Sequence, residues 1–101
     1  MTEIEPMERL ATYDDLTWPQ VEVMATISRT NRDGGVEITE PVSVIRNRMN
    51  LNSVWALVRK GVVDLDSGTG EVWVRVEYVA LANYCRERVE ERVDRKREGR
   101  A

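Results

Sequence analysis

The sequence contains no histidine and no phenylalanine, and Cys85 is its single cysteine. Without histidine, the usual general base, the Ser-His and Cys-His nucleophile pairs and the commonest zinc sites are all removed. One cysteine excludes an internal disulfide, and its place on an apolar stripe reads as a small buried hydrophobe. No run approaches the roughly 18 apolar residues of a membrane span. The acidic start (Glu3, Glu5, Glu8) lacks the basic-then-apolar order of a signal peptide, so a cytoplasmic protein without a membrane partner is expected. No glycine-rich phosphate loop precedes a helix, because Gly34, Gly35, Gly68 and Gly70 sit at turns. The carboxylates are scattered at surface spacings. No catalytic residue, metal, cofactor or small-molecule substrate is therefore expected.

What is present suits one small folded domain. The chain has 101 residues, of which 42% are hydrophobic and 33% charged, enough for a single modest core. The net charge of −3 is unevenly spread: residues 1–44 carry −6 and residues 45–101 carry +3. A polyanion would meet the second half; uneven helix surfaces would give the same split.

Residues 1–14 show no period and read as an extension, with residues 1–6 fraying. Thr17-Trp18-Pro19-Gln20 forms a capping box, with Pro19 in the first turn and Leu16 and Val21 as a hydrophobic staple. Val21, Met24, Ile27 and Ser28 give the stripe of a first helix ending near Thr30 or Asn31. Residues 31–35 turn. The alternation of residues 36–39 predicts a short strand. Thr39 and Pro41 then restart a helix with Val42, Ile45 and Met49 inward. Asn50 and Asn52 break that run, and a third helix starts near Asn52 with Val54, Leu57 and Val58 inward and Gly61 just past its end. Residues 62–66 and 71–78 form a hairpin around residues 67–70. Its second strand sets Val72, Val74, Val76 and Tyr78 on one face and Glu71, Trp73, Arg75 and Glu77 on the other. From Val79 the period lengthens to that of a final helix with the stripe Leu81, Cys85, Val89 and Val93, fraying beyond Asp94.

The middle of this pattern, Leu57-Val58-Arg59-Lys60-Gly61-Val62-Val63 followed by the hairpin and Val79-Ala80-Leu81-Ala82, resembles the winged helix-turn-helix family of small MarR-like bacterial and phage regulators. The resemblance covers residues 16–90. It implies an α+β winged helix of order α-β-α-α-β-β-α. Residues 15–78 would form its core, and residues 79–101 a closing helix with a basic tail. It also implies DNA binding by a transcriptional regulator and dimerisation through the terminal helix. The stretch from Asn52 to Gly61 is shorter than that family's recognition helices, and the hairpin tip carries no cation.

Under the DNA reading, Asn52, Ser53, Trp55, Arg59 and Lys60 contact bases or backbone from the third helix. Arg46, Arg48 and Arg75 hold flanking phosphates. A solvated helix with a basic last turn would look the same. The alternative is a protein-interaction module on the same scaffold. Trp18, Trp55 and Trp73 all lie off the central stripes, and tryptophan outside a core is enriched at binding hot spots. Trp18 is expected to pack, whereas Trp73 either packs or serves a partner. Leu81, Cys85, Val89 and Val93 either dock on their own domain or on a second copy as a homodimer. The tail residues Arg92, Arg95, Lys96, Arg97 and Arg100, diluted by nearby acids, read as a solvated helix end.

Overall fold

A capped helix opens the domain, as the sequence requires. In a computed structural model that describes residues 10–98 and leaves the side chain of Glu98 aside, α1 spans Trp18–Asp33. Expectations for residues 1–9 and Arg100 lie outside the described residues. The Thr17 N–H donates to Gln20 Oε1 at 3.1 Å, satisfying a donor that the helix start leaves orphaned. At the other end Val36 N–H bonds Asn31 O and Gly35 N–H bonds Arg32 O, both at 3.0 Å. This pair of bonds needs a left-handed residue, and Gly35 supplies it at φ 69°.

The remaining elements are β1 (Val42–Ser43), α2 (Leu51–Arg59), β2 (Val63–Asp66), β3 (Glu71–Val74) and α3 (Val79–Glu98), with 3₁₀ turns at Tyr13–Asp15 and Val76–Tyr78. The fold is α+β: three helices and a three-stranded antiparallel sheet in the order β1-β3-β2. Val63 pairs Val74 and Leu65 pairs Val72, so all four share the face turned to the helices. Asp64, Trp73, Asp66 and Glu71 share the outer face.

The core lies where α1, α2, α3 and the sheet meet. Met24, Ile27, Val54, Leu57, Val62, Val63, Val72 and Val74 are fully enclosed there. Burying each such side chain contributes roughly 1.5–3 kcal/mol. α1 and α3 form the most extensive helix contact. Small residues of α3, Ala82 and Cys85, are fully buried and let the two helices approach. A polar link crosses the same seam. Buried Ser28 donates to Asn83 Oδ1 at 2.7 Å, and Arg86 donates to Ser28 Oγ at 3.0 Å.

The largest departure from the sequence expectations is one continuous region. Residues 36–39 form no strand. The Asn31 side chain, 3% exposed, donates to the Ile38 and Glu40 carbonyls at 2.9 and 2.8 Å. Those carbonyls are thereby satisfied by a side chain instead of a ladder. The helix expected through Val42, Ile45 and Met49 is also absent. Val42 pairs with Val72 in the sheet, and Val44 N–H extends the pairing to Gly70 O at 3.0 Å. With Val42 and Val44 both buried, the period here is two, and Ile45 turns out to solvent. The chain then loops through residues 44–49, closed by Met49 N–H on Val44 O at 3.1 Å. The expected order therefore loses its second helix.

β3 is also shorter than expected. It stops at Val74, and Tyr78 N–H turns back on Arg75 O at 2.8 Å. Val76 is thereby rotated off the core face and is 72% exposed, while Tyr78 returns to it. The Tyr78 hydroxyl accepts from Ala11 N–H at 3.1 Å, which anchors the segment before α1.

Candidate interaction face

α2 starts and stops by local rules. The Asn50 side chain accepts from Ser53 N–H at 3.0 Å, so the cap is Asn50, with Asn52 inside the helix. At the end, Val62 N–H bonds Leu57 O at 3.1 Å and Gly61 N–H bonds Val58 O at 3.0 Å. Gly61, at φ 73°, takes the left-handed position. The nine residues between present Val54 and Leu57 inward and Leu51, Asn52, Trp55 and Arg59 outward.

Beside this outward face lies an open groove of about 360 Å³. Its walls are Trp55 and Leu51 from α2, Val44, Ile45, Arg48 and Met49 from the loop, and Leu65, Ser67 and Gly70 from the hairpin. Three of the large side chains around it are substantially exposed: Ile45 at 83%, Leu51 at 53% and Trp55 at 41%. Scattered exposed apolar residues are ordinary, but a contiguous apolar patch marks a binding surface or an aggregation hazard. Arg48, at the groove edge, adopts φ 50°. That is the left-handed region, which a side chain with a β-carbon occupies at a cost.

The stretch of sequence that supplies α2 and the loop carries one sign of charge. Residues 41–63 contain four cations, Arg46, Arg48, Arg59 and Lys60, and no acid. Among the described residues no ion pair engages Arg46, Arg48 or Arg59. The hairpin acids Asp64, Asp66 and Glu71 stand on the outer sheet face, opposite the groove-lining Leu65.

The eight residues expected to meet DNA are thus divided. Asn52, Trp55, Arg59, Arg46 and Arg48 are exposed on α2 and the adjoining loop. Ser53 is 8% exposed and points into the domain beneath its cap. The ammonium group of Lys60 donates to the Asp15 carbonyl and to Gln20 Oε1, tying α2 to the start of α1. Arg75 lies 3.8 Å from Asp64 and 3.7 Å from Glu77. The hairpin therefore offers no uncommitted cation.

The expected partner residues also separate. Trp73 is half-buried on the outer sheet face beside Asp64, away from the groove lining. On α3, Cys85 is fully enclosed by its own domain, and Leu81 and Val89 pack against the same core. Burial pushes the Cys85 thiol up to about 12. Only Val93 of that stripe is open, at 43% exposure. Trp18 packs against the core under Arg92, whose guanidinium carbon is 4.3 Å from the ring centroid. The tail cations Arg95, Lys96 and Arg97 are exposed at the end of α3.

The sequence reading missed Ile45, Leu51, Met49 and Leu65 as site residues, having placed Ile45 and Met49 inside a helix stripe. A usable signal was the acid-free stretch itself, where apolar residues interleave with arginine and asparagine. No helix among the described residues is long and apolar enough to cross a membrane. Nor do the described residues hold a group of three His, Cys, Asp or Glu side chains placed to bind a metal ion. No protein-family model matches the chain, and no curated protein and no solved structure matches it either.

Proposed function

We propose that this chain is a non-enzymatic recognition module on a winged-helix-like scaffold, and that it binds a protein partner through the face built by α2, the 44–49 loop and the hairpin tip. The sheet order and the placement of α2 ahead of the hairpin support the scaffold reading. The observation that carries the function is the joint exposure of Ile45, Leu51 and Trp55 around one groove. An aromatic anchor flanked by aliphatics is the composition of an interface centre.

A second reading, DNA binding, is favoured by one feature: Asn52 and Arg59 share the exposed face of α2 with Arg46 and Arg48 near by. In that reading Asn52 and Arg59 meet base edges and the loop arginines meet phosphates. Three features weigh toward protein instead. The loop replaces the helix that would brace a recognition helix, Lys60 and Arg75 are committed internally, and Ile45 would face a polyanion.

The two readings separate in one experiment. A photo-cross-linking residue at position 45 is irradiated in an extract of the source cells. A discrete protein adduct that disappears with Trp55→Ala supports the proposal. Absence of any protein adduct defeats it. A mobility shift with pooled genomic DNA at about 50 mM salt, abolished by Arg59→Ala, would put the DNA reading in its place.

A further inference from the structure

Resting on that reading of the face, we infer that the groove takes an acidic peptide segment of the partner, one bulky apolar side chain seated between Ile45, Leu51 and Trp55 with carboxylates on either side of it. The argument is charge complementarity around an apolar floor. Leu65, Met49 and Val44 close the bottom of the groove with no charged group among them. Among the described residues, the only charged one in its lining is Arg48. Arg46 adjoins it in the loop, and Arg59 lies four residues beyond Trp55, one turn along the same helix face.

A peptide with apolar residues alone would fill the groove and leave these guanidinium groups without partners. A basic peptide would be repelled by all three. Carboxylates flanking the anchor can form charge-assisted hydrogen bonds to each arginine, bidentate where the geometry permits. No acid lines the groove among the described residues: residues 41–63 have none, and the hairpin carboxylates occupy the opposite face of the sheet. Among the described residues no ion pair engages Arg46, Arg48 or Arg59, and the one acid that shares a pocket with Arg48 is Glu22 of α1. Such a surface gives fast, salt-sensitive encounter from the arginines and holds its partner through the buried anchor.

Arg48 adds an argument from conformation. A non-glycine residue at φ 50° is uncommon, and here it is an arginine in the lining of the groove. Glycine would serve the turn alone better; arginine there is accounted for by a role of its side chain.

The test is selection from a random-peptide display library on the full chain, with counter-selection on Trp55→Ala. Enriched sequences should carry a large apolar residue flanked by Asp or Glu. A synthetic peptide from the enriched pool should lose affinity by about thirtyfold or more with Trp55→Ala or Ile45→Ser, as an anchor contact does. Binding should weaken further when salt rises from about 0.1 M to about 1 M. Circular dichroism and denaturant midpoints confirm that the variants fold. Enriched peptides that need Trp55 but carry no acids would overturn the acidic-segment inference while leaving the protein-binding face intact. Peptides indifferent to Trp55 and Ile45, or no enrichment at all, would overturn both. Displacement of a bound peptide by a random-sequence DNA duplex, with the duplex itself bound through Arg59, would reassign the face to nucleic acid.

Discussion

Where α1 and α3 face each other, large side chains are inside and several of the charges at the rim are engaged with one another. Met24 and Ile27 have no exposure, and Arg32 meets Glu90 at 3.1 Å. Ser28, Asn83 and Arg86 close the polar seam among themselves. Around α2 and its loop the arrangement reverses. Ile45 is 83% exposed, Arg48 sits in a left-handed conformation, and three arginines are without ion pairs among the described residues. The α1–α3 seam links many of its groups to one another, and the other region leaves apolar and charged groups open side by side. Folding alone gives no reason for the second pattern. Under the proposed function, its side chains are placed for a partner outside the chain.

The sharpest way to break this contrast lies within α2, where Leu57 and Trp55 stand two residues apart and face opposite ways. Leu57→Ala removes a fully buried side chain and should destabilise the fold by about 3 kcal/mol in urea titration. Trp55→Ala should change stability by less than about 1 kcal/mol, since 41% of the residue is already in water, yet abolish peptide binding. Should Trp55→Ala prove as damaging as Leu57→Ala, Trp55 is a core residue and the face loses its anchor.

Next in size is Asn31, which links the two regions. Its amide holds the Ile38 and Glu40 carbonyls that lead into the loop. Asn31→Ala leaves both carbonyls without that donor and should cost about 2 kcal/mol. Hydrogen exchange should rise in residues 36–49 before it rises in α1. Uniform exchange across both regions would mean that the segment is not separately held.

The well-packed region also has a pH signature. The thiol of Cys85 is held at about 12 against an ordinary value of 9.0, because burial penalises the thiolate. Between these two values the unfolded chain releases the proton and the folded chain keeps it. Stability is therefore full below about pH 9 and falls as pH rises toward 12. By pH 10 the loss should be on the order of 1 kcal/mol, and Cys85→Ala should remove that part of the slope. An unchanged slope in the variant would assign the alkaline loss to other groups.

The same contrast governs what could be read from the sequence. The start of α1 was legible because Thr17, Pro19 and Gln20 act through local bonds. Gly61 and the 67–70 turn were legible for the same reason. The α+β class and the single α3 stripe followed from periodicity. The segment from 36 to 49 was not legible, because Val42, Ile45 and Met49 fit a helical spacing as well as Val42 and Val44 fit a strand. The choice between them was made at long range, by Val72, Gly70 and the Asn31 amide. That misreading hid the site, since a helix would have buried Ile45. Asn52 and Arg59 were legible as outward, and Trp55 as lying off the stripe, because Val54, Leu57 and Val58 mark the buried face, although the cap is Asn50 and not Asn52. Their meaning changed once the loop set Ile45 and Arg48 beside them.

The smallest expected effect tests the open region most directly. Arg48→Gly relieves the left-handed strain and adds chain entropy to the unfolded state, so the two effects partly cancel. Stability should rise by about 0.5 kcal/mol, since the strain of a β-carbon at φ 50° is the larger of the two. Affinity for an acidic peptide should fall in the same variant, because an arginine in the groove lining is lost. Gain of stability with loss of binding is the mark of a residue kept for a partner, at the expense of the fold. Arg48→Asn, which tolerates the left-handed region better than arginine and carries no charge, should reproduce both signs. A variant that loses stability together with binding would place Arg48 among the structural residues, and the contrast between the two regions would then stop at Ile45, Leu51 and Trp55.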